Sequence, residues 1–268
     1  MKVRKICFVL AVLMLASAFA AGCGQSAAEP AVSPAAAVET TPSPEPTAQA
    51  EEEKKELPPP PDIDIDSWEY LYAGVVCGVS RYHPNVRNIE SQMLDSRVTS
   101  AAQAFLDAAR AEGYKVWIGV GYRNFEYTSF WFEDAMKDYG GSYEASQVDY
   151  VFPAGCSEHS TGLAIDITDE PDFAANYYNM HDETVKDTEV YKWMSEHCAE
   201  YGFIVRYPEG KEDYYVKACY PGHFRYVGVE AAEYIMENDL CFEEFLNLYP
   251  EKKLHVTFGP EADRKSVV

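Results

Sequence analysis

The sequence predicts an α+β domain in which helices flank a small antiparallel sheet, with a metal site at the edge of that sheet. Helix-like and strand-like segments are interleaved without the regular strand–helix–strand alternation that builds parallel sheets. The strand candidates are short, whereas the helix candidates carry apolar side chains three and four positions apart. One sizeable core is feasible, because 47% of the 268 residues are hydrophobic and 25% are charged.

Capping residues, glycines and side-chain spacing predict the individual elements. Ser96 is a candidate N-cap for the first helix, and Gly113 suits the position just past its end. Asn124 is expected to cap the second helix, which Gly140 and Gly141 would end. The predicted helices cover about 96–112, 124–138, 187–201 and 229–238. The predicted strands cover 115–122, 163–168, 203–206, 213–219 and 223–227.

Residues 1–22 have the pattern of a secretory signal. Three basic residues among the first five precede an apolar run from Ile6 to Ala21, which is short of the ~20 residues that a bilayer-spanning helix needs. The ending Ala20-Ala21-Gly22-Cys23 resembles the lipobox of bacterial lipoproteins, although that family usually has Leu at the first of these positions. The resemblance implies an extracytoplasmic protein held at the membrane by lipid on Cys23. Plain secretion, without lipid on Cys23, is the alternative.

Composition divides the remaining chain into three parts. Residues 23–66 are rich in Ala, Pro, Ser, Thr and Glu, which predicts a disordered tether. Residues 67–250 form the predicted folded domain, and residues 251–268 a C-terminal tail. The net charge of −22 argues against nucleic acid as a partner and against a polybasic membrane patch. We expect a monomer.

Cysteine counting leaves the disulfide pattern open. Cys7 would leave with the signal peptide and Cys23 would carry lipid, so five cysteines remain. An odd number leaves at least one thiol unpaired in any intramolecular scheme, and no pair can be chosen from the sequence. The five are Cys77, Cys156, Cys198, Cys219 and Cys241.

Two histidines and one carboxylate predict a metal centre. His159 lies in a polar turn seven residues before Asp166, which sits between Ile165 and Ile167 in a predicted strand. A carboxylate at such an apolar position is costly unless it is paired or binds a metal. The alternative is an aspartate that is hydrogen-bonded to backbone or to an arginine. With His223 as third ligand, the set is typical of catalytic zinc, and a position at the strand edge argues against a purely structural ion.

The segment Ser157–Thr168, SEHSTGLAIDIT, resembles the SxHxxGxAxD signature of the VanY-type D-alanyl-D-alanine carboxypeptidases. GHFRYVG, from Gly222, is similar to that family's second histidine segment. Further matches occur, in the same order, at Leu94–Arg97, Gly121–Arg123 and Tyr201–Pro208. The resemblance covers about 70–248. It implies zinc bound by His159, Asp166 and His223, and removal of a C-terminal D-amino acid from peptidoglycan stem peptides.

The resemblance also implies roles for residues around the metal. Arg123 would face the carbonyl or carboxylate of the substrate, which suits a permanently charged guanidinium; a surface salt bridge is the alternative. Ser157 would form a hydrogen bond near the C-terminal end of the substrate. Asn124 and Thr128 occupy substrate-side positions where the family commonly has Ser and Gln. We expect Glu158 to point away from the metal.

One departure from the family pattern bears directly on catalysis. Where the family usually reads Glu-Pro-Trp-His, with the glutamate as general base, this chain reads Tyr220-Pro221-Gly222-His223. A phenol, with an ordinary pKa of about 10, is a poor base at neutral pH. Loss of a positioned acid or base typically costs about 10²–10⁴ in rate. Glu212 and Asp213, on the preceding loop, are candidates for a relocated base.

Two functional hypotheses therefore stand. The first is a zinc-dependent carboxypeptidase that acts on D-Ala-terminated stem peptides. The second is a relative that retains zinc and binds cell-wall peptides, with weak or no turnover.

Overall fold

The computed structural model describes residues 56–74, 79, 82–138, 140–141, 152–169, 183–215 and 220–251. The chain divides into two units, Met1–Lys54 and Lys55–Val268, and every described residue belongs to the second. The predicted signal peptide, Cys23, most of the predicted tether and nearly all of the predicted tail lie outside the described residues. Within the described part, no helix combines the length and the apolar character that crossing a bilayer requires.

The fold is α+β, as predicted, and its centre is a four-stranded antiparallel sheet. The elements are β1 (Val86–Ile89), β2 (Gln92–Asp95), α1 (Thr99–Ala111), β3 (Trp117–Val120), α2 (Phe125–Asp138), β4 (Ala164–Thr168), α3 (Glu189–His197), β5 (Phe203–Val205), β6 (His223–Tyr226), α4 (Val229–Glu237) and α5 (Phe242–Leu246). The strand order is β3–β4–β6–β5, and each neighbouring pair is antiparallel. Strands β1 and β2 form a separate hairpin. The two central strands, β4 and β6, carry two of the three predicted metal ligands, Asp166 and His223.

The first helix begins later than predicted. Val98 rather than Ser96 occupies the N-cap position of α1, and no side chain caps it. The reason is a turn in which the Val98 N–H donates to the Asp95 carbonyl at 2.9 Å, so that helical bonding starts only after it. The strand predicted over 213–219 is also wrong for its described residues, 213–215, which lie in a turn and bend.

A first apolar cluster packs α1 against the sheet. Phe105 of α1 is fully buried and stacks on Phe203 of β5, with ring centroids 5.6 Å apart. It meets Phe224 of β6 edge-on at the same distance. Full burial of a side chain of this kind contributes roughly 1.5–3 kcal/mol. This packing holds β5 and β6 in place from one face, and β6 carries His223.

A second apolar cluster joins α4 and α5 to the start of the domain. Ile65 is buried in it, and the Tyr234 and Tyr249 hydroxyls donate to the carbonyls of Pro58 and Pro61 at 2.7 and 2.8 Å. The packed domain therefore begins before residue 67, where the sequence-based boundary lies. Proline has no N–H and so disfavours helix and strand in this segment. Its backbone carbonyls are therefore available to accept the hydrogen bonds from the two tyrosines.

Candidate metal centre

Two of the predicted ligands face each other on the central strands. Asp166 of β4 is paired directly with His223 of β6. Directly opposed side chains of an antiparallel pair lie on the same face, and here Asp166 Oδ1 is 2.7 Å from His223 Nδ1. Ile165 and Ile167 alternate with Asp166 and pack in the apolar cluster around α1. The apolar flanks of Asp166 thus reflect a strand that is buried on both faces.

The third ligand, His159, is held by a short 3-10 turn, Glu158–Thr161. The Thr161 hydroxyl donates to the Glu158 carbonyl at 2.6 Å, and Gly162 ends the turn with φ of +73°. The left-handed conformation at Gly162 directs the chain straight into β4. This path places His159 Nε2 at 3.1 Å from Asp166 Oδ2.

These three side chains fit a zinc ion. One ligand atom from each lies within 4.8 Å of the others, and all three residues are buried. Two imidazole nitrogens and one carboxylate form a donor set that zinc accepts readily. His159 Nδ1 is buried and has no hydrogen-bond partner among the described residues, so the polar contacts of that ring are concentrated on the nitrogen that faces Asp166.

Electrostatics favour the metal-binding protonation states of Asp166 and His159, but not that of His223. Burial alone would raise the pKa of Asp166, but the two imidazoles hold it well below its usual range. Burial lowers the pKa of His159, and Asp166 offsets this only in part. Burial also acts downward on His223, yet Asp166 and Glu158 together raise the pKa of this imidazole. Asp166 is therefore ionised and His159 neutral, whereas a proton on His223 competes with the metal.

Glu158 contacts the ligand His223 through the ring nitrogen opposite the one that faces Asp166, so it does not face the metal position, as expected. Its side chain is buried; Oε2 lies 3.3 Å from His223 Nε2, while Oε1 accepts from Arg206 Nε at 2.7 Å and Arg225 Nη1 at 2.9 Å. Burial would raise the pKa of Glu158, but the two arginines hold it far below its usual range. Arg206 also donates two hydrogen bonds to the buried Glu243. A network of four buried charges thus adjoins one metal ligand.

Arg123 lies beside the metal ligands, directly after β3. Its backbone N–H donates to the His159 carbonyl at 3.1 Å. Its charge contributes to the lowered pKa of His159, after burial, which is the larger cause. Arg123 also lines a cavity of about 270 Å³ together with Gln92, Met93, Gly119, Val120, Tyr122, Asn124 and Tyr127. Arg123 therefore lies next to the turn that carries His159, and its charge acts on that ligand.

Two of the other predicted substrate-side residues, Asn124 and Thr128, form hydrogen bonds within α2 and its cap. Asn124 Oδ1 accepts from the Tyr127 N–H at 2.8 Å, which confirms Asn124 as the cap of α2. The Thr128 side chain is buried, and its hydroxyl donates to the Asn124 carbonyl at 3.0 Å. Ser157 precedes the His159 turn as its N-cap residue, without a side-chain capping bond.

Tyr220 lies against a metal ligand. It is 4% exposed, and its ring stacks on the His223 imidazole with centroids 5.4 Å apart and planes inclined by 26°. The Tyr207 ring lies 5.2 Å from the same imidazole. Glu212, one of the two candidates for a relocated base, is exposed and accepts from the Gly210 N–H at 3.1 Å, and Asp213 is also exposed.

Together, the sheet, the ligand triad and the adjacent arginine define an α+β domain with a candidate site for one metal ion. The family model for VanY, described as D-alanyl-D-alanine carboxypeptidase, matches residues 91–229, which include all three ligands and Arg123. The chain therefore belongs to the VanY family.

Individual relatives agree with this assignment. The D-alanyl-D-alanine carboxypeptidase of Enterococcus faecalis (strain ATCC 700802 / V583) is 35% identical over 162 residues, which are 58% of this chain and 56% of that protein. The chain spans about half the length of the first curated relatives it matches. VanYB in complex with D-alanine-D-alanine superposes with a TM-score of 0.56 at 30% identity, over 68% of this chain and 98% of that one. A VanY variant from a VanB-type resistance cassette, in complex with Zn(II), superposes with a TM-score of 0.55 at 30% identity. The match covers 68% of this chain and 100% of that one.

Proposed function

We propose that this protein is a zinc-dependent carboxypeptidase that acts on D-Ala-terminated peptidoglycan stem peptides. The observation that carries the proposal is the convergence of His159, Asp166 and His223 on one buried point, within 4.8 Å, directly beside Arg123. The names of its relatives support the same substrate: one is a D-alanyl-D-alanine carboxypeptidase, and another was solved with D-alanine-D-alanine.

The side chains around the metal divide the work of binding and orientation. His159, Asp166 and His223 would hold zinc, which supplies Lewis acidity and activates water. Arg123 would bind the terminal carboxylate or the carbonyl of the peptide through its two-pronged guanidinium. Ser157 would add a hydrogen bond near the C-terminal end of the substrate. A peptide held in this orientation loses little further translational and rotational entropy in the reaction step, because that entropy has already been lost on binding.

One observation favours the second hypothesis, a zinc-retaining protein that binds stem peptides with weak or no turnover. Among the described residues, the carboxylates of Asp166 and Glu158 contact the histidines. The first would bind the metal, and the second is held by two arginines. Tyr220 stands where the family has its general base, and its stacked ring offers a phenol rather than a carboxylate. A missing base lowers the rate by about 10²–10⁴ without abolishing peptide recognition.

For location, we propose an extracytoplasmic protein held at the membrane by lipid on Cys23. The basic start, the apolar run from Ile6 to Ala21 and the following Gly22-Cys23 support it. The Pro- and Ala-rich segment after Cys23 would let the domain reach the cell wall from that anchor. We expect it to act as a monomer.

Metal content and D-alanine release test the function. The full-length protein, solubilised in detergent, should bind about one zinc per chain, because one three-ligand site is present. Asp166→Asn should bind markedly less, while Glu196→Gln, an exposed acid on α3, should bind as the wild type does. Wild-type protein without zinc, or Asp166→Asn with full zinc, would overturn both hypotheses. With zinc bound, measurable release of D-alanine from a stem pentapeptide selects the carboxypeptidase, and binding without release selects the second hypothesis.

A further inference from the structure

We propose that Glu158 is a positioning residue for the metal ligand His223: it holds the imidazole with a proton on Nε2, so that Nδ1 faces the ion. This inference rests on the proposed zinc site. It assigns Glu158 no part in proton transfer and no contact with the peptide.

The contacts of the His223 ring determine which nitrogen would keep its proton when a metal binds. One nitrogen, Nδ1, faces Asp166 Oδ1 at 2.7 Å, and the other, Nε2, faces Glu158 Oε2 at 3.3 Å. An ionised carboxylate can only accept hydrogen bonds, so Nε2 must carry a proton to bond with Glu158. Asp166 is ionised as well and accepts a proton from Nδ1 while no metal is bound. A metal beside Asp166 would displace that proton and take the Nδ1 lone pair, while the proton on Nε2 stays with Glu158. Carboxylates behind metal-bound histidines commonly fix the ring in this manner.

Hydrogen bonds from two arginines fix the position of the Glu158 carboxylate. Arg225 binds its Oε1 and also donates to the carbonyls of Glu69 and Leu71, at 2.9 and 2.6 Å. Arg206 binds the same oxygen and is anchored on its far side by Glu243. All of these charged groups are buried, so water does not compete for them. The second oxygen of Glu158 is thereby directed at His223.

The same network argues against Glu158 as a substitute for the missing base. Its Oε1 accepts from two arginines, and its Oε2 is directed at a ring nitrogen. A carboxylate stabilised by two guanidinium groups is a weak proton acceptor. Glu158 therefore orients a metal ligand and does not replace the general base that Tyr220 fails to supply.

Zinc affinity of two matched variants tests the proposal. Glu158→Gln and Glu243→Gln each remove one buried charge that contacts Arg206, but only Glu158 contacts His223. We expect Glu158→Gln to raise the zinc dissociation constant by about 10–100-fold over wild type. Glu243→Gln should stay within a few-fold of wild type. Competition with a chromophoric chelator, at fixed near-neutral pH on full-length protein, measures both. Equal affinities in the two variants would refute the role of Glu158.

A measurement on the wild type covers the case in which Glu158→Gln fails to fold. Long-range proton–nitrogen NMR of zinc-loaded, histidine-labelled protein reports which nitrogen of each ring binds the metal. His223 should bind through Nδ1 and show a protonated Nε2; zinc on Nε2 would refute the proposal. Wild type that binds no zinc would end the proposed function as well, whereas zinc binding without D-alanine release leaves this inference standing on its own.

Discussion

The Tyr220 ring stacks on the imidazole of His223, and we propose that it occupies the position of the general base found in relatives. We expect Tyr220→Glu to raise the rate of D-alanine release from a stem pentapeptide by about 10²–10⁴, since that is the usual contribution of a positioned acid or base. Steady-state kinetics at near-neutral pH measure the change, and zinc content should remain that of the wild type.

Tyr220→Phe is the matched control, because it removes the hydroxyl and keeps the stacked ring. It should leave the release rate within a few-fold of wild type if the phenol transfers no proton. A drop by a factor of 10² or more in Tyr220→Phe would instead make the phenol itself the acid or base of the site.

Single residues differ in how well the sequence predicts them. Asp166 was identifiable because a carboxylate between two isoleucines is costly without a partner. Glu158 was missed because its partners, Arg206 and Arg225, are 48 and 67 positions away in the chain. The available signal was an arginine within or beside each of two apolar strand segments, since buried arginines require buried carboxylates.

At the scale of elements, the His159 turn depends on its contact with β2. Gly162 ends the turn and packs closely against Asp95 because it has no side chain. A Cβ at this position would lie 2.9 Å from the Asp95 backbone nitrogen. Gly113, after α1, also has a positive φ but open space around it. Replacing either glycine by alanine incurs about 1–2 kcal/mol of backbone strain. At Gly162, overpacking adds about 1–3 kcal/mol.

We therefore expect Gly162→Ala to lower the free energy of unfolding clearly more than Gly113→Ala does. Denaturant titration of both variants in the presence of a chelator measures the difference without a metal contribution. Equal losses would show that the backbone of β2 gives way at no cost, and that the turn is not fixed by its contact with Asp95.

The elements that the sequence failed to predict lack the usual local signals. The β1–β2 hairpin turns through Glu90, which has φ of +53°. Two-residue hairpin loops normally use Asn or Gly at such positions, so nothing in the chain marks this turn. The five residues of α5 are too few to show helical periodicity. By contrast, α2 follows its Asn124 cap and β4 its short apolar run, and both were predicted within one residue or two.

At the scale of the whole molecule, buried carboxylates determine the acid stability of the metal-free protein. The pKa values of Glu158 and Asp166 are lowered on folding, so their stabilisation is complete above the ordinary carboxyl range and is lost as the pH falls below it. We expect the free energy of unfolding, in chelator, to decrease below about pH 4.5, with each such group contributing at most about 1.4 kcal/mol per pH unit.

Variants separate the buried carboxylates from the rest of this acidic chain. Glu158→Gln should be less stable than wild type near neutrality and should show a shallower decline in acid, because one linked proton is removed. Glu196→Gln, at an exposed position, should follow the wild-type profile. Denaturant titrations across a pH series provide the slopes; an unchanged acid slope in Glu158→Gln would mean that this carboxylate is not stabilised by folding.

The predicted lipid anchor is testable on the same full-length chain. With a net charge of −22, the protein has no electrostatic attraction to an anionic membrane, so retention there would depend on lipid alone. Expressed in a bacterium that processes lipoproteins, wild type should partition into the detergent phase of a phase-separation assay. Cys23→Ser should lose this partitioning, while Cys7→Ser, upstream of the predicted cleavage point, should retain it. Detergent-phase recovery of Cys23→Ser equal to wild type would rule out lipid on Cys23 as the anchor.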